Sequence, residues 1–260
     1  MNNFSKIILC LVFLLGWSAE GMAQLEEGRY EFWREDAKIT YDMFLDTTTD
    51  WSVEKEQNFK NVISTGLWGQ LDIPKNKKDR VYKKEIAYFC AAMDKTESTL
   101  IEKSSLSLDH AKLIWDIAEV SARMARKKLA DLVHKMDSVG VYAQVSSKGI
   151  KLFKNDPDKP TAQKKTGGLI WLYFRTALEY GKEFREQAVS GFLREVVIKE
   201  DHFMYQKYRE MIDEYLESFK EYATTEEEIQ RFVTKTPPSG YMASPYDVPS
   251  YIAEELTKKY

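Results

Sequence analysis

After the Ser104-Ser105 cluster the chain runs to about Ser138 without a glycine or a proline, its apolar residues recur at helical spacing, Ser107 or Asp109 offers the cap, and Gly140 supplies the stop. At roughly 100° per residue, Leu106, Leu113, Ile117, Val120 and Met124 share one arc, with His110 and Ile114 inside or beside it. Glu102, Lys103, Lys112 and Glu119 fall outside that arc or before it. A helix this long must bury its apolar arc, so the remaining segments have to supply the cover.

The segments before it read as strands. Asn58 to Ile73 and Val81 to Met93 are rich in β-branched and aromatic residues and flank a Lys-rich loop marked by Pro74, which predicts an antiparallel pair. Arg29 to Phe44, around Trp33 and Ile39, predicts a strand or extended entry followed by a turn. After the helix, Val139 to Phe153 suits a small hairpin around Ser147-Lys148-Gly149, and Asn155 to Lys165 a polar loop. Helical patterning resumes in Trp171, Phe174, Ala177, Leu178, Tyr180 and Phe184, then in Met204, Tyr208, Met211, Tyr215, Phe219 and Tyr222. The fold class expected is α+β: an N-terminal antiparallel sheet on the long helix, residues 24–138, with a helical region, 139–235, completing the same domain. From Thr236 the chain carries four of its seven prolines together with Tyr241, Tyr246 and Tyr251, so residues 236–260 cannot be one helix and read as an extended, aromatic-packed arm.

With 43% apolar residues the chain can bury a full core, which excludes a disordered class. The 38 basic and 41 acidic residues give a net charge of −3 and are mixed along the sequence, against a dedicated nucleic-acid binder. Residues 1–23 differ in kind. Lys6, the apolar run Ile7 to Trp17 and the small-residue site Gly21-Met22-Ala23 read as a secretory signal peptide, with a mature start near Gln24 and no transmembrane segment after cleavage. The expectation is an exported protein of the periplasm, cell surface or medium. Cys10 would leave with the leader, so Cys90 alone remains and no intrachain disulfide can form.

Chemistry-bearing groups are sparse. His110, His134 and His202 are the three histidines, with no phosphate loop, Cys-x-x-Cys pair or nucleophile elbow beside them. Cys90 lies in an apolar strand pattern and reads as an inert buried thiol. His134 and His202 read as surface or cap residues.

The run Ser107-Leu108-Asp109-His110-Ala111-Lys112-Leu113-Ile114 and its continuation Trp115-Asp116-Ile117-Ala118-Glu119 is similar to the active-site helix of the secreted zinc-dependent protease family catalogued as domain of unknown function 922. Ala122-Arg123 with Arg126-Lys127-Lys128 resembles the basic stretch that follows it there. Ile39-Thr40-Tyr41-Asp42-Met43-Phe44 resembles the family's entry motif, and Met93-Asp94-Lys95-Thr96-Glu97-Ser98 the stretch before its helix. The resemblance covers about Arg29 to Leu132. It implies a zincin-like helix lying along the sheet, with edge strands and the motif histidine sharing one cleft.

The departures fall on the reactive positions. In a His-Glu-x-x-His helix the two histidines face one zinc and the glutamate takes a proton from the bound water. Here only His110 remains, with Ala111 at the place of the general base and Ile114 at that of the second ligand. Losing a positioned base typically costs on the order of 10²–10⁴-fold in rate, and zinc needs further protein ligands. Glu119, nine positions on, falls on the opposite side of the helix and is a poor ligand for the same ion. His110 then reads as a core histidine satisfied by one or two hydrogen bonds, and His110, Ala111 and Ile114 as a relic of a metal site. No catalytic residue, metal or cofactor is assigned. The function expected is a secreted, non-catalytic relative of zinc metallopeptidases, serving as a binding or structural module with an unidentified protein or envelope partner. The alternative is a hydrolase with relocated ligands around His110, the one reading that calls for zinc.

Overall fold

A computed structural model describes residues 28–80, 84–139, 141–146, 149–154 and 169–244. The leader 1–23, the loop Asn155 to Lys165 and the arm beyond Ser244 lie outside the described residues.

The strand pair forms as β2 (Asn61–Pro74) and β3 (Ile86–Leu100), antiparallel, with Leu67 opposite Ala91 and Gly69 opposite Phe89. β3 starts later than the Val81 expected and runs on to Leu100, so the stretch Met93 to Ser98 that precedes the long helix is the end of this strand. β1 (Tyr30–Phe32) pairs with β3 on its other side. Short α1 (Ser52–Glu56) follows, and the expected long helix is α2 (Ser105–Val139). The hairpin is β4 (Val141–Ser146) with β5 (Gly149–Lys154). Two helices follow, α3 (Leu169–Phe192), which continues through a π-helical turn at Leu193–Val197, and α4 (His202–Ser218).

Besides α1, a helix and a strand were not expected. Helix α5 (Glu226–Thr234) opens on a capping box, in which the Thr225 hydroxyl accepts from the Glu228 N–H at 3.3 Å and the Glu228 carboxylate accepts from the Thr225 N–H at 3.0 Å. The described part of the Pro/Tyr-rich arm forms β6 (Tyr241–Ala243), antiparallel to β2, so the sheet has the order β1-β3-β2-β6.

Both faces of this sheet are covered. On one, Leu67, Leu71, Ile73 and Phe89 meet Ala122 and Ala125 of α2 and Phe174 and Ala177 of α3. On the other, Tyr88, Cys90 and Ala92 meet Ile229 and Phe232 of α5. α2 is enclosed in turn, because Leu113, Ile114, Ile117 and Val120 pack away from the sheet against Phe192, Val196, Val197 and Ile212. Fully burying each such side chain contributes about 1.5–3 kcal/mol. α3 reaches α2 through Gly181, where a Cβ would lie 2.6 Å from the Leu67 side chain and 2.7 Å from the Ser121 carbonyl oxygen. Glycine is required there by closeness of approach rather than by backbone angle.

Two placements differ from those expected. Glu119, placed outside the apolar arc, is fully buried, because the helix meets protein on that side as well. Tyr180, placed in the apolar stripe of α3, is 40% exposed, with the Lys128 ammonium 5.1 Å from its ring centroid.

Candidate functional site

α2 begins with reciprocal serines: Ser107 N–H donates to Ser104 Oγ at 3.1 Å and Ser107 Oγ donates to the Ser104 carbonyl at 2.7 Å. This start sets the turn on which His110 lies. His110 is only 6% exposed, with the Phe192 ring nearly perpendicular to it and the Tyr205 ring tilted, both centroids 5.5 Å away. It is a core histidine as expected, but the expected hydrogen bonds do not form: among the described residues its buried Nδ1 has no partner. Burial pulls its pKa down to about 4, with Asp109 opposing and His202 and Lys60 adding slightly. The ring is therefore neutral at pH 7.

The three relic positions divide between two layers. Ala111 is fully buried against the sheet side, in a cluster with Ala91, Met93 and Trp115. Ile114 packs with Phe192, Val197 and Ile212, on the same helical side as His110. The shared cleft of edge strands and His110 is thus not formed. His110 faces the end of α3 and the start of α4, because α2 presents its small residues, Ala111 and Ala118, to the sheet.

The continuation motif does structural work. Asp116, nearly fully buried, accepts from Trp33 Nε1 at 2.7 Å, Lys112 Nζ at 2.5 Å and Arg209 Nη1 at 2.8 Å, joining α2 to the segment after β1 and to α4. Glu119 accepts from Arg123 Nε at 2.9 Å, from the Thr224 N–H at 2.9 Å and from the Thr224 hydroxyl at 2.6 Å. Trp115, Ile117 and Ala118 are core. In the basic stretch, Arg126 donates to Glu228 at 2.9 Å, to the Tyr222 carbonyl at 2.7 Å, to Thr224 Oγ1 at 2.8 Å and to the Phe89 carbonyl. The Phe89 N–H in turn donates to Glu228 at 3.3 Å. β1 ends at Phe32, so among the described residues β3 has no strand partner on that side at Phe89, and Arg126 with Glu228 supplies the missing donor and acceptor. All of these carboxylates are engaged in holding elements together.

Elsewhere, His134 is exposed and His202 is the exposed first residue of α4, beside its cap Asp201. Cys90 is fully buried, and burial pushes its thiol pKa far up, so it is inert as a nucleophile. The sequence reading missed the buried pair Asp72–Arg231, bidentate at 2.6 and 2.7 Å. It also missed Arg185, which borders a shallow depression at the end of α3 with Val189, Ser190, Leu193, Arg194 and Ile198. The Thr-x-x-Glu box before α5 was a legible signal for the helix that carries Arg231, whereas nothing local marks Arg185. Among the described residues, no three His, Cys, Asp or Glu side chains lie together as a metal-holding group, and no helix is long and apolar enough to cross a membrane.

Compared with family models, curated proteins and solved structures, the chain matches none.

The buried His110 makes stability acid-sensitive. Its folded pKa is near 4 and its unfolded value near 6.5, so its contribution is complete above about pH 6.5 and is lost as the pH falls toward 4. Urea midpoints taken at pH 7 and pH 4.5 are expected to differ less for His110→Phe than for the parent; equal differences would mean that the ring titrates normally.

Proposed function

We propose that this chain is an exported, non-catalytic module of the cell envelope, in which a helix resembling that of a secreted zinc metallopeptidase serves as scaffold and the surfaces do the binding. One observation carries the reading: the positions where such a helix does its chemistry are packed as core, with His110 boxed between Phe192 and Tyr205 and Ala111 and Ile114 buried in separate clusters. The engagement of Asp116 and Glu119 in bonds between elements supports it further. The leader-like start of the sequence supports export. The alternative, a hydrolase with ligands relocated around His110, has weaker support, since Glu119 points to Thr224 rather than toward His110's neighbours.

Elemental mass spectrometry on protein purified without chelator or nickel, followed by zinc titration read through thermal stability, separates the two. Absence of metal and no rise in Tm well above micromolar zinc is the result expected. Stoichiometric zinc would overturn the non-catalytic reading and bring the hydrolase forward.

A further inference from the structure

Strand β2 is, among the described residues, an edge strand over most of its length. Among the described residues, only β6 pairs with its outer side, at Asp72, Ile73 and Pro74. Farther along, the Leu71 carbonyl accepts from the Ser244 N–H at 2.8 Å and the Thr65 carbonyl accepts from Arg185 Nη1 at 2.8 Å, so both point outward. Residues two apart in a strand turn their backbone groups to the same side, and the register with β3 runs unshifted from Ser64 to Asp72. Leu67 and Gly69 therefore also present N–H and C=O outward, and no described strand pairs with them.

At the far end of this open stretch stands a cation with no carboxylate partner among the described residues. Arg123, Arg126, Arg209 and Arg231 each have a carboxylate at 2.6–2.9 Å. Arg185 is partly buried too, yet it bonds only the Thr65 carbonyl and, at 3.4 Å, the Thr65 hydroxyl, and its buried Nε has no partner. Burial pulls its pKa below the ordinary arginine value. The fold keeps a desolvated guanidinium at a strand edge, bordering a depression open to solvent. An oxyanion arriving there would complete a charge-assisted pair.

We infer that the open β2 edge takes an extended peptide by antiparallel strand addition, pairing with Gly69 and Leu67 and placing its terminal carboxylate against Arg185 and the Thr65 N–H. This deepens, and rests on, the reading of the chain as a binding module. Charge fixes the direction. An antiparallel strand runs as β6 does, from the Pro74 end toward Thr65, so its carboxyl end reaches Arg185; a parallel one would bring an ammonium there. At about 3.3 Å per residue the stretch from Gly69 to Thr65 accommodates about four residues. Gly69 itself offers no side chain, and Phe174 and Leu178 of α3 stand 2.8 and 3.0 Å from where its Cβ would be, which favours an apolar residue at the paired position.

The test uses the intact protein and an N-terminally fluorescein-labelled pool of randomised pentapeptides with free carboxyl ends, against the same pool amidated. Fluorescence anisotropy is expected to show the free-acid pool binding about tenfold tighter or better, with Arg185→Gln erasing the difference. Amide exchange at Leu67 and Gly69 is expected to slow when the free-acid pool is present. Arg185→Lys, which keeps the charge, is expected to retain part of the preference and covers the case in which Arg185→Gln does not fold. Equal binding of the two pools, or unchanged exchange at Leu67 and Gly69, overturns the proposal. So does slow exchange in the peptide-free protein that becomes fast in a chain ending at Ser244, since the edge is then held by the chain's own following residues. None of these outcomes touches the non-catalytic reading, which falls only to stoichiometric zinc.

Discussion

Replacing Glu119 by alanine is expected to cost about 3–5 kcal/mol, the usual penalty when one partner of a buried ion pair is removed. The carboxylate is fully buried and accepts three bonds, from Arg123 Nε and from the N–H and hydroxyl of Thr224. Alanine leaves Arg123 buried without a carboxylate, held by the Leu216 carbonyl and the Trp33 ring, and leaves the Thr224 N–H without its acceptor. The segment that leads from α4 into α5 is then left to the Arg126 bonds to the Tyr222 carbonyl and Thr224 Oγ1 for its polar hold on α2. Urea unfolding reads the effect as a lower midpoint. Glu119→Gln, which keeps an acceptor for Thr224, is expected to lose less. A Glu119→Ala midpoint within about 1 kcal/mol of the parent would show that the clamp is not holding the fold.

Ala111→Glu is expected to abolish cooperative folding at neutral pH. The site is fully buried beside Ala91, Met93 and Trp115, where the unpartnered Trp115 Nε1–H is a neutral donor and no cation belongs to the cluster. An unpaired buried charge costs several kcal/mol or takes up a proton, and the added volume costs about 1–3 kcal/mol more. Thermal unfolding followed by circular dichroism should show a broad, non-cooperative trace. A variant that melts like the parent would mean the cluster has room for a general base, and the view of position 111 as close-packed core would fail.

What the sequence made legible follows from the range of the interactions. α2 was readable because thirty-odd residues free of glycine and proline, with a serine start and a glycine stop, need only local information. β2 and β3 were readable from their β-branched and aromatic content. β6 was not, because three residues become a strand only where β2 offers them an edge. The burial of Glu119 was not, because an apolar arc shows which side of a helix is certainly covered and not that the other side is covered as well. At the candidate site, the loss of the reactive groups at 111 and 114 was plain in the residues. That His110 would face Phe192 and Tyr205 instead of the sheet was not, because the rotation of α2 is set by its alanines fitting against β3. Arg126 shows the same limit. Its task depends on β1 stopping short of Phe89, a fact of tertiary structure alone.

The cover that α5 gives the sheet also dictates an order of events. Phe32, Tyr88, Cys90 and Ala92 meet Ile229 and Phe232, and the Asp72 carboxylate finds its guanidinium in Arg231, across sequence separations of well over a hundred residues. Until those late residues have emerged from the ribosome, the early strands carry a bare apolar face and an unneutralised acid, and they cannot settle. Such non-local closure makes folding slow, and it leaves the half-made chain in a state that a chaperone can hold and a protease can cut.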